Sequence, residues 1–368
     1  MNLSFAAVIV LTGVLTASAC ALVGSFLVLR RMSMVGDAIS HTVILGIVGM
    51  FAITHSRAAP LMILGAAIVG LLTVFLIELV HRSGRIREDG AIGLVFPALF
   101  AIGVIIVSRF PSGLHLDVQH VLYGEITFVP LRRLELFGHD LGYESLWVLG
   151  SMAVANLLFI LVFYKELKLA TFDPGLAAAL GFSPVVMHYA LMAMVSATTV
   201  VSFDIVGAIL VVAMLIVPPA TAYLLTDRLP IMIGLSVVCG AASAVGGYLW
   251  ARSIDGSISG AMAAVAGGIF AVAFVLSPRH GVVSRLAQLA RLRREFGQRL
   301  LITHLEGQHG TAGLCVLRDR FRWTPRSERA IVRAAIANGL VKRATGDTLV
   351  LTERGRSAAH RFATDREL

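Results

Sequence analysis

The sequence has little charge for its length. Only 14% of its 368 residues are Asp, Glu, Lys or Arg, and 57% are hydrophobic. A soluble globular domain carries about 25% charged residues, so the deficit excludes an ordinary soluble protein for most of the chain. The charge is also uneven, with 13 basic and 14 acidic side chains in residues 1–278 but 18 and 8 in residues 279–368. We therefore expect two domains, a near-neutral membrane domain over residues 1–280 and a basic domain over residues 281–368.

Cysteine and lysine are both scarce. The three cysteines, Cys20, Cys239 and Cys315, lie far apart, which excludes a CxxC thiolate site and a disulfide framework. None of the three lysines follows a glycine. Because a Walker A loop needs a Gly-Lys pair to hold nucleotide phosphates, the chain has no such ATP-binding motif. If ATP drives this protein, a separate subunit must bind it.

Long apolar runs are abundant. A bilayer core of about 30 Å needs roughly 20 apolar residues per helix, and lipid offers no partner for backbone groups outside helices. The pattern therefore predicts an all-α polytopic membrane domain of about nine transmembrane helices. The predicted spans are residues 5–29, 35–54, 60–80, 91–108, 145–164, 184–203, 205–226, 230–250 and 257–277.

Basic side chains concentrate in alternate loops and in the tail. By the positive-inside bias, this pattern predicts an external N-terminus and a cytoplasmic C-terminus in the bacterial inner membrane. Residues 109–144 are too polar for a clean span and too apolar for a free loop. We expect a re-entrant or interfacial helix there. If this segment crossed the membrane, the number of spans would be ten.

Asp37 and His41 indicate chemistry most directly. They lie in the run RRMSMVGDAISH over residues 30–41, and a spacing of four puts both side chains on one face of a helix. An ionisable pair at the start of an apolar span is a functional hypothesis by default. Carboxylate plus imidazole suits Mn, Zn or Fe(II), and the absence of thiolate argues against Cu(I). The alternative is that Asp37 caps the helix and His41 is an ordinary hydrogen-bonded histidine.

Other polar residues are weaker candidates. Asp204, at the end of a predicted span, is either a third ligand or a helix cap, and the predicted topology places it near the face opposite to Asp37. A further set could attract a cation or contact a donor protein, although a solvated loop also explains it. That set is His55, His115, Asp117, His120 and Glu125. Pro218 and Pro219 lack N–H donors and should kink or unwind an apolar helix.

Four segments together resemble the zinc/manganese/iron uptake permeases of ABC importers. They are LRRMSMVGDAISH over residues 29–41, LYGEI over 122–126, TFDPGLAAALGF over 171–182, and VSFDIVGAILVVAMLIVPPATAYLLT over 201–226. The resemblance covers essentially all of residues 1–280. It maps the family's Asp-x-x-x-His pair onto Asp37 and His41 as metal ligands. Asp204 stands at a position that is often acidic or polar in relatives.

The resemblance also implies partners. Such permeases dimerise with a second copy or a paralogue, receive metal from an extracytoplasmic metal-binding protein, and dock on a cytoplasmic ATPase through a short coupling helix. Here that helix would lie within 173–182, with Asp173, Pro174, Leu180 and Gly181 in contact with the ATPase. The chain would be a transport subunit and not an enzyme. It would hold no permanent cofactor, and the divalent metal would be its transported substrate.

The tail extends about 90 residues beyond the usual end of such permeases. Residues 285–306, Thr311–Asp319 and Thr324–Ala337 are predicted to be helices. The run GLVKRATGDTLVLTERGR over residues 339–356 predicts two short strands around a Gly346-Asp347 turn. This small α+β pattern is that of a winged helix, and it resembles the DNA-binding half of iron- or manganese-dependent repressors.

The function of the tail stays open at this point. Arg326, Arg329 and Arg333 recur about once per turn on the candidate recognition helix. A net charge of +10 fits nucleic acid, and it also fits anionic membrane lipid beneath the bilayer. A plain protein-interaction or regulatory module is a further interpretation.

Two other functions compete with the ABC permease. One is a secondary transporter driven by an ion gradient, with Asp37, His41 and Asp204 as proton or ion sites. The other is a membrane-tethered, metal-responsive transcription regulator, with the membrane domain as sensor.

Overall fold

The computed structural model describes residues 4–54, 59–109, 126–136, 139–278, 281–308, 311–344 and 348–364. In these ranges nine helices are long and apolar enough to cross a bilayer, which confirms the predicted number of spans. The contacts between residues divide the chain into two compact units, Met1–Ser277 and Pro278–Leu368.

The first unit consists almost entirely of helices. Its elements are α1 (Phe5–Leu29), α2 (Met34–Thr54), α3 (Ala59–Arg82), α4 (Glu88–Arg109), β1 (Arg133–Leu136), β2 (His139–Tyr143), α5 (Glu144–Val162), α6 (Tyr164–Phe172), α7 (Pro174–Ala179), α8 (Pro184–Val206), α9 (Ala208–Leu225), α10 (Leu229–Ile254) and α11 (Ile258–Leu276). The short α6 and α7 lie between the spans α5 and α8, in the loop that contains the predicted coupling helix.

Helix α1 lies at the centre of the bundle. Val8, Ala17 and Phe26 are fully buried along its length, and it packs against α5, α8, α9 and α10. By contrast, α5 exposes large apolar side chains such as Trp147 and Leu161. A helix that is apolar on every side and buried forms a core, whereas one with an exposed apolar side within a membrane faces lipid or another membrane protein.

Several hydroxyl side chains inside the bundle donate hydrogen bonds to a carbonyl of their own helix. Thr16 donates to the Thr12 carbonyl, Ser25 to that of Ala21 and Thr198 to that of Met194, each four residues back. This bond lets a polar residue enter an apolar helix without an unpaired donor. Asn156 on α5 donates to the Ala19 carbonyl and to the Thr198 hydroxyl, and it thereby ties three helices together.

The two adjacent prolines do not unwind α9, which runs without a break from Ala208 to Leu225. Proline at 219 leaves the Leu215 carbonyl without its usual helical donor. Gly24 of α1 packs directly on that carbonyl: a Cβ at Gly24 would lie 2.0 Å from the Leu215 oxygen. Glycine is therefore required at position 24, and the two helices approach each other closely beside the proline pair.

The segment between α4 and α5 differs from its prediction where it is described. Residues 129–131 form a single 3₁₀ turn, and β1 and β2 form a short antiparallel hairpin with Leu136 opposite His139. The expected α-helix is absent from residues 126–136 and 139–143. Residues 110–125 lie outside the described part of the chain, so the prediction stands untested there.

The second unit is a small α+β fold. Its elements are α12 (Val282–Gly307), β3 (Thr311–Gly313), α13 (Leu314–Phe321), α14 (Pro325–Ala337), β4 (Val341–Arg343), β5 (Thr348–Leu351) and α15 (Glu353–Thr364). The strands form an antiparallel sheet in the order β3-β5-β4. Helices α12, α13 and α14 and the sheet bury an apolar core that includes Leu301, Leu317, Ile331, Leu349 and Leu351.

Two predictions for the tail need correction. Residues 311–313 were expected to begin a helix, but they form a strand paired with β5, and the helix begins at Leu314. The final helix α15 was not predicted. The expected helices at 285–306 and 324–337 and the pairing of β4 with β5 are present, whereas the Gly346-Asp347 turn lies outside the described residues.

Candidate metal site and coupling segment

Asp37 and His41 lie together on the first two turns of α2. The Asp37 Oδ1 and His41 Nε2 atoms are 3.5 Å apart, and the two side chains are 32% and 38% exposed. Two ligand atoms about 2.1 Å from one ion lie about 3.4 Å apart when they subtend a tetrahedral angle. The observed separation therefore suits joint coordination of a single cation. Asp37 also lies in the first turn of its helix, where the helix dipole stabilises a negative charge.

The surroundings of this pair are aromatic. The His41 ring stacks on Phe96 with centroids 5.6 Å apart and meets the edge of Phe100 at 6.2 Å. Both phenylalanines belong to α4 and flank Pro97, which lies inside that helix. Within the described residues no arginine or lysine forms an ion pair with Asp37. The carboxylate therefore keeps its charge available for a cation, next to a ring held in place by packing.

Asp204 forms an ion pair with a different residue. Its Oδ2 atom is 3.5 Å from Nη1 of Arg132, and both side chains are more than half exposed. Within the described ranges, no three His, Cys, Asp or Glu side chains come together as a metal cluster. The structure thus brings Asp37 and His41 together and shows Asp204 beside an arginine.

A second carboxylate–imidazole pair was not predicted from the sequence. Glu78 on α3 and His188 on α8 have their Oε2 and Nε2 atoms 3.7 Å apart, and their side chains are only 17% and 15% exposed. Arg82 donates from Nε to the other Glu78 oxygen at 2.7 Å. Ionisable residues at the ends of apolar spans are a signal in themselves. The partnership between them was not visible, because 110 positions separate Glu78 from His188.

Arg30 joins this second pair to the segment before α7. Its Nη1 lies 3.4 Å from Nδ1 of His188, and its Nε donates to the Thr171 hydroxyl at 3.1 Å. Arg30 directly follows α1, and Thr171 belongs to α6. Burial lowers the pKa of the Arg30 guanidinium. The network therefore links α1, α3, α6 and α8 through charged and polar side chains.

A short helix, α7, lies within residues 173–182, where the sequence predicted the coupling helix. Asp173 caps it by accepting a hydrogen bond from the Leu176 amide at 2.9 Å, and Pro174 occupies its first turn, the position where a missing N–H has no cost. Gly181 ends it with φ of 87°, a conformation that glycine adopts without strain. The Phe182 amide then returns to the Ala177 carbonyl at 3.0 Å, which closes the helix end.

Around α7 the structure exposes a run of large apolar side chains. Phe172, Leu176 and Leu180 are 60%, 47% and 60% exposed, and Phe182 is 41% exposed. Contiguous exposed apolar surface often marks an interaction site, and this surface lies in the segment that the sequence predicted to contact an ATPase.

The remaining candidates divide into two groups. His55, His115, Asp117, His120 and Glu125 lie outside the described residues. In the tail, Arg326, Arg329 and Arg333 are exposed on α14, whereas Ile331, Val332 and Ala335 of the same helix are buried. The three arginines therefore share the outer face of that helix.

The membrane bundle matches a known protein family. Residues 2–277 match the ABC 3 transport family. The chain belongs to that family. It is a multi-pass integral membrane protein, and the family match ends at the boundary between the two structural units.

Individual relatives extend this result. The chain is 52% identical to the manganese transport system membrane protein MntD of Bacillus subtilis over 80% of this chain and 99% of that protein. It is 43% identical to the zinc transport system membrane protein TroD of Treponema pallidum over 95% and 97%. The second match must run into the tail, which TroD therefore shares. Among solved structures, PsaBC from Streptococcus pneumoniae in complex with Fab is similar, with a TM-score of 0.63, 30% identity and coverage of 76% and 94%.

Proposed function

We propose that this protein is the permease subunit of an ABC importer that moves a divalent transition metal, Mn, Zn or Fe, into the cytoplasm. The Asp37–His41 pair carries the proposal, because it joins a carboxylate and an imidazole at a spacing suited to one cation. Relatives named for manganese and for zinc transport support the class of substrate, and a relative from Yersinia pestis is named for chelated iron.

Two protein ligands suit a transported ion better than a resident one. A structural zinc site uses four protein ligands and closes completely. Asp37 and His41 leave most of the coordination positions to water or to groups from a second subunit, so the ion can leave. Phe96 and Phe100 fix the imidazole ring by packing. Asp204 is a secondary candidate that would attract the cation to the opposite end of the bundle, in competition with Arg132.

The chain needs a partner to supply energy, since it has no Walker A motif. We assign that role to a cytoplasmic ATPase that docks on α7 through the exposed side chains of Phe172, Leu176 and Leu180. Asp173, Pro174 and Gly181 give this helix its fixed ends. Movement of α7 would reach α1, α3 and α8 through Thr171 and Arg30.

The remaining assignments follow from the same proposal. A second permease copy or a paralogue would complete the pathway, and an extracytoplasmic metal-binding protein would deliver the ion. The basic tail would face the cytoplasm, in accordance with the loop charges. In its fold the tail would be a winged helix, with α14 as its recognition-like helix and β4–β5 as its wing. A regulatory or protein-contact role suits it, and nucleic acid is the other partner that its exposed arginines could bind.

Metal uptake in cells tests the proposal. The protein would be expressed with and without its ATPase in a strain that lacks its own uptake systems, and cellular Mn, Zn and Fe would be measured by elemental mass spectrometry. We expect saturable uptake of one metal that requires the ATPase, and the ATPase should co-purify with the permease.

The competing functions give different results. If the purified protein alone moved metal into liposomes along an ion gradient, it would be a secondary transporter and the ABC proposal would be wrong. If the protein changed transcription without moving any metal, the membrane domain would be a sensor.

A further inference from the structure

The N-terminal half of α12 carries an apolar stripe that the described remainder of its own structural unit leaves exposed. Its large side chains are strongly exposed: Val282 37%, Leu286 61%, Leu289 52%, Leu292 60% and Phe296 64%. At 3.6 residues per turn these five positions fall within about a third of the helix circumference. They therefore form a continuous apolar stripe along the first four turns of α12.

The second half of the same helix has its apolar face on the other side. Leu301, Ile302 and Leu305 are fully buried in the tail core against α14 and the sheet. The helical wheel places them roughly opposite the stripe. The stripe is therefore not an extension of the core-facing side, and the folding of the tail unit leaves it uncovered.

Basic residues accompany the stripe. Arg285 and Arg293 project on the same side as Leu289 and interleave with it along the helix. Arg291 and Arg294 lie on the other side, where Arg291 donates to Glu295 at 2.8 Å. Between residues 282 and 299 the helix has five arginines and one acidic residue. One face thus presents both apolar and cationic groups, and the opposite face is partly neutralised.

The chain fixes where this face can be. Only five residues separate Leu276, the end of the last span, from Val282, and such a segment reaches at most about 20 Å. The stripe consequently begins close to the bilayer surface from which the chain emerges. Interfacial helices combine a polar face, arginine or lysine, and leucine or phenylalanine on the buried side.

We propose that residues 282–296 of α12 bind the bilayer surface in the plane of the membrane and prefer anionic lipid. The stripe inserts among the upper acyl chains. The long stems of Arg285 and Arg293 reach outward along it, and their guanidinium groups meet lipid phosphates. This interaction goes beyond metal transport and does not depend on it.

Site-specific fluorescence on the full-length protein tests this inference. An NBD probe would be attached at Leu289→Cys on the stripe, or at Gln288→Cys on the flank as a matched control, with the three native cysteines replaced by alanine. The protein would be reconstituted in nanodiscs of phosphatidylcholine alone or with phosphatidylglycerol. We expect the probe at 289 to shift to the blue, to gain intensity several-fold with phosphatidylglycerol, and to be quenched by spin-labelled lipid. The probe at 288 should remain close to its spectrum in water.

Charge variants in the Leu289→Cys background identify the face. Arg285→Gln together with Arg293→Gln should weaken the response to phosphatidylglycerol by roughly fivefold per arginine, whereas Arg291→Gln with Arg294→Gln removes the same charge from the other side and should weaken it less. The inference is wrong if probes at 288 and 289 behave alike, or if anionic lipid has no effect. It is also wrong if position 289 becomes shielded only when a soluble protein partner is added, which would assign the stripe to that protein.

Discussion

Among the described residues, the membrane bundle contains two carboxylate–imidazole pairs that are nearly equal in geometry. Asp37 and His41 approach to 3.5 Å, and Glu78 and His188 approach to 3.7 Å. Either separation lies near the value for two ligands of one metal ion. Distance alone would therefore nominate both pairs, and the difference between them lies in their neighbours.

Around the second pair the neighbours are cations. Arg82 occupies one Glu78 oxygen at 2.7 Å, and Arg30 lies 3.4 Å from the other nitrogen of His188. A divalent ion about 6 Å from a partly buried guanidinium such as Arg30 is repelled by about 5 kcal/mol at an effective dielectric constant of 20. The first pair instead faces Phe96 and Phe100. The comparison suggests that one pair binds metal while the other holds helices together.

The largest expected effect is the loss of metal uptake when Asp37 or His41 is replaced. Asp37→Ala and His41→Ala should each lower initial metal uptake by about 100-fold or more, because removing a group that merely supports a ligand already costs about 10–100-fold. Both side chains are about one-third exposed, so the amount of folded protein should change little. Uptake per molecule would be measured by elemental analysis together with immunoblotting. Unchanged uptake in both variants would rule out the ligand assignment.

A substitution in the Glu78–His188 pair should instead lower the stability of the protein and leave its KM for metal unchanged. Glu78→Gln removes the charge that faces His188 and, beyond it, Arg30, so the protein should lose about 1–3 kcal/mol of stability and melt several degrees lower. The KM for metal should stay the same. Thermal unfolding in detergent and concentration-dependent uptake provide the two readouts. An altered KM with an unchanged Tm would mean that Glu78 is a ligand and that the comparison fails.

A site can be predicted from the sequence when its residues lie close together along the chain. Asp37 and His41 were predictable because a spacing of four on a helix fixes their proximity. The spans were predictable because lipid excludes other backbone conformations. Arg30, Thr171 and His188 meet across 141 and 158 positions, and no periodicity encodes that meeting. Likewise, β3 has only three residues, and it is a strand because β5 lies beside it.

An intermediate effect is expected in the predicted coupling segment, residues 173–182, which the Glu78–His188 pair contacts indirectly through Arg30 and Thr171. Gly181→Ala forces a side chain into φ of 87°, which costs about 1 kcal/mol or slightly more, and it should lower ATPase-dependent uptake a few-fold by disturbing the end of α7. Gly175→Ala is the matched control, because its Cβ would meet only Asp173 Oδ1 at an ordinary 3.5 Å. The two variants would be compared by uptake and by co-purification of the ATPase. Equal behaviour would contradict a specific role for the end of α7.

The smallest effect should come from Arg82→Gln. This variant distinguishes the contribution of Arg82 from that of Arg30, the two arginines next to the Glu78–His188 pair. The Arg82 side chain is 54% exposed, and its bond to Glu78 spans one helical turn. Solvent-exposed pairs of this kind contribute little because water screens them. Arg30 is partly buried and contacts both Thr171 and His188, so Arg30→Gln should lower the melting temperature more than Arg82→Gln does. Equal loss of melting temperature in Arg82→Gln would contradict this order. The stabilising contribution would then come from the positive charge beside Glu78 and not from the contact of Arg30 with α6. In that case α7 would have to communicate with the bundle by another route.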